Sequence, residues 1–280
     1  MKKTICVCGA GTMGSGIAQV AAQSGFSTVL FDLNIDMINR AKASIENALA
    51  KLEAKGKIAG GSKSSILNLI QFTTNLEDCK ADVIIDAIIE NLDAKVDLFN
   101  KLSAINGAQT IYATNTSSLP VTQIAIATKD HTRVAGLHFF NPAPVMKLVE
   151  VVAGESTSPE VINELVELSQ QMGKTPVVCK DAPGFIVNRV ARHYYLEAMY
   201  LLEKGAADYE TIDKVLESAG FKMGPFKLMD MIGMDINYGV SKIVWEALGK
   251  PARLTPSPVQ KEKVEAGYLG RKSGKGFYNY

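Results

Sequence analysis

Along the first two thirds of the chain, short apolar runs alternate with stretches whose apolar residues recur at helical spacing. Residues 3–8 (KTICVC), 27–32 (STVLFD), 81–89 (ADVIIDAII), 110–114 (TIYAT), 133–139 and 175–179 read as buried strands. Between them, amphipathic helices are predicted near 36–55, 92–105, 120–127 and 158–172, and a further helical run through Ala18, Ala21 and Ala22 stops at Gly25. Near residue 181 the pattern changes. Asp181-Ala182-Pro183-Gly184 leads into a helix from about 185 to 204, and beyond it only helical periodicity remains, punctuated by Gly220, Gly233, Gly249 and Gly267. The expectation is an α/β domain over 1–182, a doubly wound and mostly parallel sheet carrying one antiparallel hairpin, followed by a smaller all-α domain over 183–280. The second segment is too short to bury much surface alone, so it is expected to pack on the first domain or on another subunit.

The first strand runs into Gly9-Ala10-Gly11-Thr12-Met13-Gly14, a G-x-G-x-x-G turn opening a helix. The first glycine permits the tight turn, the second lets backbone approach a pyrophosphate, and the third lets helix pack on strand. The helix start offers unpaired N–H groups and the positive dipole end to the phosphates. The second strand ends in Asp32, 18 positions after Gly14, where a carboxylate can accept hydrogen bonds from an adenosine ribose. A lone glycine triplet also occurs in plain strand–helix packing, but strand, triplet, helix, strand and terminal acid in order indicate a Rossmann-type dinucleotide site. Asp32 repels a 2′-phosphate, and Phe31, Leu33 and Asn34 supply no cation to offset it, so NAD is expected rather than NADP.

Leu137–Val152 (LHFFNPAPVMKLVEVV) brings a histidine and a glutamate together around a proline-bounded turn. Folded as a hairpin centred near Pro144, it sets His138 about opposite Glu150. Such a pair suits a general base: the carboxylate fixes the tautomer and stabilises the imidazolium, and the other ring nitrogen takes a proton. Taken alone, a histidine near a strand end is more often structural. Glu90, Asn115 with Ser117, and His138 all fall at the carboxyl ends of predicted strands, where ligands of such sheets bind, although capping of a helix begun at Pro120 also explains Asn115, Ser117 and Ser118. Asn188, one turn inside the predicted helix at the domain junction, can donate to a substrate oxygen or serve only as a local cap.

A net charge of +1 gives no nucleic-acid footprint. Cys6 and Cys8 are two apart on a buried strand, with Cys79 and Cys179 distant in sequence, so neither a metal-ligand spacing nor a disulfide framework is expected, and all four read as small apolar packing residues. No apolar run approaches the roughly 20 residues that span a bilayer, and the glycine turn comes too early for a signal-peptide core, so a cytoplasmic protein without nucleic-acid or membrane partners is expected.

Several segments together carry a more specific likeness: GAGTMGSGIAQ, ATNTSSLP at 113–120, HFFNPAPVMKLVEVV from 138, PGFIVNR at 183–189, and LGRKSGKGFYNY at the end. Along nearly its whole length the chain resembles the short-chain L-3-hydroxyacyl-CoA dehydrogenases, most closely their bacterial members acting on 3-hydroxybutyryl-CoA. The resemblance implies NAD-dependent interconversion of a short-chain substrate such as (S)-3-hydroxybutyryl-CoA with acetoacetyl-CoA. It further implies that His138 is the base and Glu150 its partner, that Ser117 and Asn188 hold the reacting oxygen, and that Glu90, Lys95, Ser117 and Asn141 line the cofactor site with Asp32 and the glycine turn. It also implies a homodimer formed through the helical domain. Family members hold the CoA nucleotide near the helix after the second strand, where Lys51 and Lys55 match. Those lysines share one helix face with Lys57 just beyond, which suits a phosphate-bearing tail but equally suits a solvated helix end. The chain departs from the family pattern at Asp86, at Phe221-Lys222, at Lys227 and over 251–258, which puts acyl-chain preference and subunit contacts in doubt. Two rival readings stand beside it: an NAD enzyme for a non-CoA hydroxy or sugar acid, and a non-catalytic dinucleotide-binding or structural protein.

Overall fold

The computed structural model describes residues 3–280. Its first unit, running to Asp181, is built from β1 (Thr4–Cys8), α1 (Thr12–Gln23), β2 (Ser27–Phe31), α2 (Ile35–Ala54), α3 (Ser62–Leu67), β3 (Ile70–Thr73), β4 (Val83–Asp86), α4 (Leu92–Ser103), β5 (Ile111–Thr114), α5 (Val121–Ile126), β6 (Val134–Phe139), β7 (Leu148–Ala153), α6 (Pro159–Gln171) and β8 (Thr175–Lys180). The strands form one sheet in the order β3-β2-β1-β4-β5-β6-β7-β8, parallel throughout except where β6 meets β7. Unbroken apolar runs can be buried on both faces of a parallel sheet. β1, β4 and β5 do this at the centre, with α1, α2 and α6 packed on one face and α4 and α5 on the other.

The structure adds two elements to those predicted. β3 is an edge strand with only Ile70 and Thr73 buried, and α3 buries no residue, so neither carries an apolar stripe. The predicted third strand, 81–89, shrinks to Val83–Asp86, because the chain turns away where Ala87 meets the glycine turn. Cys79, read as remote from the other cysteines, ends the turn before β4 and brings its sulfur beside those of Cys6 and Cys8; the three lie within 4.8 Å of one another, all buried.

The sheet order reverses between β1 and β4, and there backbone meets backbone. The Ala87 amide donates to Cys8 O at 2.7 Å and the Gly9 amide to Phe31 O at 2.7 Å. Gly9 takes φ +101°, and a Cβ there would stand 2.5 Å from the Ala87 carbonyl oxygen. A Cβ on Gly14 would stand 1.7 Å from Gly9 O, so the start of α1 can lie against the turn only without one.

The second unit, Ala182–Tyr280, contains α7 (Val187–Glu203), α8 (Tyr209–Ser218), α9 (Pro225–Ile232), α10 (Met234–Ala247) and α11 (Pro258–Glu265). Its core gathers Tyr195, Met199, Phe226, Met229, Met234 and Phe277. Two buried carboxylates organise it. Asp213 accepts from the Phe226 and Lys227 amides at the start of α9 and from the Tyr278 hydroxyl, and Asp230 accepts from the Phe277 and Tyr278 amides. The closing segment is thereby pinned: a Cβ on Gly276 would stand 2.0 Å from Asp230 Oδ1. The departures from the family pattern have local roles here. Phe221 stacks on Tyr194, Lys227 pairs with Glu217 at 3.0 Å, and Ser257 and Pro258 start α11.

Gly14 and Gly11 predict unequal stability effects. Gly14→Ala must displace the turn, at a cost of about 1–3 kcal/mol, which for a unit of this size lowers Tm by roughly 2–4 °C per kcal/mol. Gly11, with extended backbone and nothing within 4 Å of an added methyl, should accept alanine with little change in Tm. Thermal unfolding of the two variants checks this, and equal losses would refute it.

Candidate active site

The glycine turn and Asp32 form the first part of the site. α1 starts at Thr12 with Gly11 before it and no side-chain cap, so its first-turn amides point outward unclaimed by any side chain. Asp32, one residue past β2, is held on both oxygens: Oδ2 accepts from the Ala10 amide at 2.8 Å and Oδ1 from the Asn34 amide at 2.9 Å. Leu33 beside it is 86% exposed. A cleft of about 400 Å³ opens along this edge, lined by Gly11, Thr12, Met37, Arg40, Asn141 and Pro142 among others. Thr12 and Asn141 both line this cleft, whereas Met13 is half-buried and packs against the core. Arg40, exposed on α2, carries no sequence signal that sets it apart from other surface charges. The bare space over Gly11, the uncapped amides and the braced carboxylate fit a dinucleotide.

Glu90 belongs to the loop after β4 rather than to a strand end. It accepts hydrogen bonds from the Thr116 hydroxyl, the Ser117 amide (3.0 Å) and the Ser118 hydroxyl (3.0 Å), tying this loop to the one after β5. Burial raises its pKa, but the Thr116 bond and the Lys95 charge outweigh that and leave it below the ordinary value. Lys95 does not face an open site. It is 1% exposed, with Nζ 2.8 Å from Asp86 Oδ1 and 3.5 Å from Glu90 Oε2, so it braces the loop from below. Asp86, fully buried at the end of β4, has its pKa raised by burial against the pull of Lys95.

His138 and Glu150 are directly opposed across β6 and β7. His138 Nδ1 lies 2.8 Å from Glu150 Oε2, and the residues are 6% and 1% exposed. A carboxylate there accepts from Nδ1–H and so fixes the tautomer in which Nε2 is the acceptor nitrogen of the neutral ring. Asn115 helps hold the strand end, accepting from the Phe139 amide at 2.8 Å, and Phe140 packs on the imidazole at 4.5 Å between ring centres. The connection between the strands is anchored by Lys174, a buried ammonium donating to the carbonyls of Ala143 and Met146. Its pKa is lowered by burial and by Lys147. Nothing in a Gly-Lys-Thr sequence signals that role.

The remaining expected residues lie on other elements. Lys51 is exposed in the last turn of α2, and Lys55 is its exposed C-cap rather than an interior residue. Asn188 is the second residue of α7, in its first turn rather than one turn inside, and its side chain belongs to the second unit.

Strand order, glycine turn and braced acid make the first unit a Rossmann dinucleotide-binding domain of the kind found in NAD-type oxidoreductases. Residues 4–182 match the model of the 3-hydroxyacyl-CoA dehydrogenase NAD binding domain and residues 184–280 that of its C-terminal domain. The chain belongs to the 3-hydroxyacyl-CoA dehydrogenase family. It is 46% identical to the 3-hydroxyadipyl-CoA dehydrogenase of Escherichia coli over 99% of its own length, spanning 59% of that longer protein. To a probable 3-hydroxybutyryl-CoA dehydrogenase of Deinococcus radiodurans it is 42% identical over 98% of this chain and 99% of the relative. The crystal structure of (S)-3-hydroxybutyryl-CoA dehydrogenase from Ralstonia eutropha superposes with a TM-score of 0.95 at 38% identity, covering 100% of this chain and 99% of that one. Among the described residues no helix is long and apolar enough to cross a membrane.

Lys95→Met should leave the buried Asp86 carboxylate without its cation and destabilise the protein by about 3–5 kcal/mol. Burial raises the folded pKa of Asp86 above the unfolded value, so the folded state holds its proton more tightly. Stability of the variant should therefore be greatest below about pH 4, the unfolded value for Asp, and fall as pH rises through the raised folded pKa. Denaturant unfolding at acid and neutral pH measures this. Adding Asp86→Asn should recover most of the loss, and failure to do so would point to packing rather than charge.

Proposed function

We propose that the chain is an NAD-dependent dehydrogenase that interconverts short (S)-3-hydroxyacyl-CoA and 3-oxoacyl-CoA, with 3-hydroxybutyryl-CoA and acetoacetyl-CoA as a substrate pair. The buried His138–Glu150 pair carries this reading. His138 Nε2 removes the hydroxyl proton while Glu150 holds the opposite nitrogen and balances the imidazolium that results. A bound nicotinamide would supply the acceptor for the hydride lost from C3. In reverse, the imidazolium returns its proton to the carbonyl oxygen, so one pair serves both directions. Ser117 and Asn188 stabilise charge on that oxygen. Lys51 and Lys55 attract the CoA phosphates. Asp32, braced toward the glycine turn, favours NAD over NADP by repelling a 2′-phosphate. Exposed apolar side chains in the second unit, Val190, Tyr200 and Val215 among them, support self-association as a homodimer, and the charge balance suits the cytoplasm.

NADH oxidation should proceed with acetoacetyl-CoA and barely with free acetoacetate; the reverse preference would favour the non-CoA hydroxy acid reading. His138→Gln should lower kcat by roughly 10²–10⁴ with little change in NADH affinity. Glu150→Gln should act in the same direction, and the double variant should lose far less than the product of the two. Additive losses would show that the residues do not act as a pair.

Cofactor choice gives a separate check. Wild-type kcat/KM should be higher with NADH than with NADPH, and Asp32→Ser with Leu33→Arg should narrow or reverse the gap. A wild type that uses NADPH equally well would overturn the role given to Asp32.

A further inference from the structure

Among the described residues, Arg192 is a buried cation without an anion. It lies in α7, 3% exposed, one turn beyond Asn188. Its Nε donates to the Asn188 carbonyl at 3.0 Å, and its Nη1 donates to Asn237 O at 2.8 Å and to Ser241 Oγ at 3.0 Å on α10. These bonds use Nε and Nη1; none uses Nη2. The Tyr195 ring lies 4.9 Å from the guanidinium carbon. The acids that structure this unit are engaged elsewhere: Asp213 and Asp230 cap and pin the chain, Glu217 pairs with Lys227, Asp235 with Lys272, and Glu203 accepts from Ser257. Burial lowers the Arg192 pKa to about 10, still a cation at neutral pH.

The surroundings are also rich in unmet polarity. Asn237 is 1% exposed, its Oδ1 accepts from Gln260 Nε2 at 2.6 Å, and its Nδ2 donates to nothing. Gln260 Oε1 is unmatched as well. Burying a charge without a counter-charge, beside a second idle donor, is costly in a finished core. It makes sense where an anion arrives later, since a carboxylate accepts from a guanidinium and an amide together.

We propose that Arg192, with Asn237, determines acyl-chain specificity by receiving a carboxylate at the far end of the substrate's acyl chain, so that the enzyme favours 3-hydroxyacyl-CoA thioesters of dicarboxylic acids. This rests on the preceding reading, in which Asn188 meets the oxygen on C3. Side chains four apart on a helix are separated by about 5–6 Å, a distance that two methylenes and a carboxylate span. A six-carbon diacid thioester therefore places its second carboxylate one helical turn from its C3 oxygen, at Arg192. A four-carbon chain ends in a methyl and leaves the guanidinium unpaired.

The test compares three substrates at saturating NADH: 3-oxoadipyl-CoA, its ω-methyl ester and acetoacetyl-CoA. Wild-type kcat/KM for the free acid should exceed that for the ester by roughly 10- to 100-fold, the range expected of a hydrogen-bonded charge. Arg192→Gln should collapse that ratio toward one, and Arg192→Lys should restore part of it. The wild-type ratio needs no variant to fold. An ester turned over as well as the acid, or a ratio that survives Arg192→Gln, overturns the proposal. Reduction of acetoacetyl-CoA but not of the diacid removes only the tail assignment, whereas failure with all three thioesters removes the acyl-CoA reading and this one with it.

Discussion

The first unit is organised by a close approach of backbone to backbone where β1 and β4 part. Gly9 fits under the Ala87 carbonyl, and Gly14 fits over Gly9, only because neither has a side chain. That contact sets the direction in which α1 leaves the sheet, and hence where its amides point. It also places Ala10 so that its amide braces Asp32, and it ends β4 early enough for the following loop to carry Glu90. The cofactor edge is therefore a consequence of strand packing, with the chemistry added to a frame that sterics had already fixed.

The rest of the edge is held by buried charge. Asp86, Lys95 and Glu90 form a chain from the sheet core to the surface loop, and the hydroxyls of Thr116 and Ser118 complete it. Such arrays contribute little net stability compared with apolar packing, but each member fixes the geometry of the next. Lys174 does the same for the connection between β6 and β7 through two carbonyls. The loops along this edge are thus held by pairings that the protein makes within itself.

Much of this was legible in the sequence where the signal is local. The glycine turn, the acid closing β2 and the hairpin pairing of His138 with Glu150 depend on spacing within one stretch of chain, and spacing is what a sequence shows. Elements without an apolar stripe were invisible, as β3 and α3 illustrate. Contacts made across the fold were equally hidden: Cys79 beside Cys6 and Cys8, Lys95 buried against Asp86 and Glu90, and Lys174 under a distant turn. Arg192 reads as one more charge on an amphipathic helix. Only its burial, and the engagement of the surrounding acids with other partners, set it apart.

The His138–Glu150 pair is fixed by strand register, and none of the eight residues between β6 and β7 is itself paired in that register. Asn141 and Pro142, in this connection, line the cleft beside the glycine turn. The histidine–carboxylate pair and part of the cleft wall are therefore encoded next to each other in one stretch of chain. Substitutions within the connection can reshape what the cleft admits without altering which two residues face each other across β6 and β7.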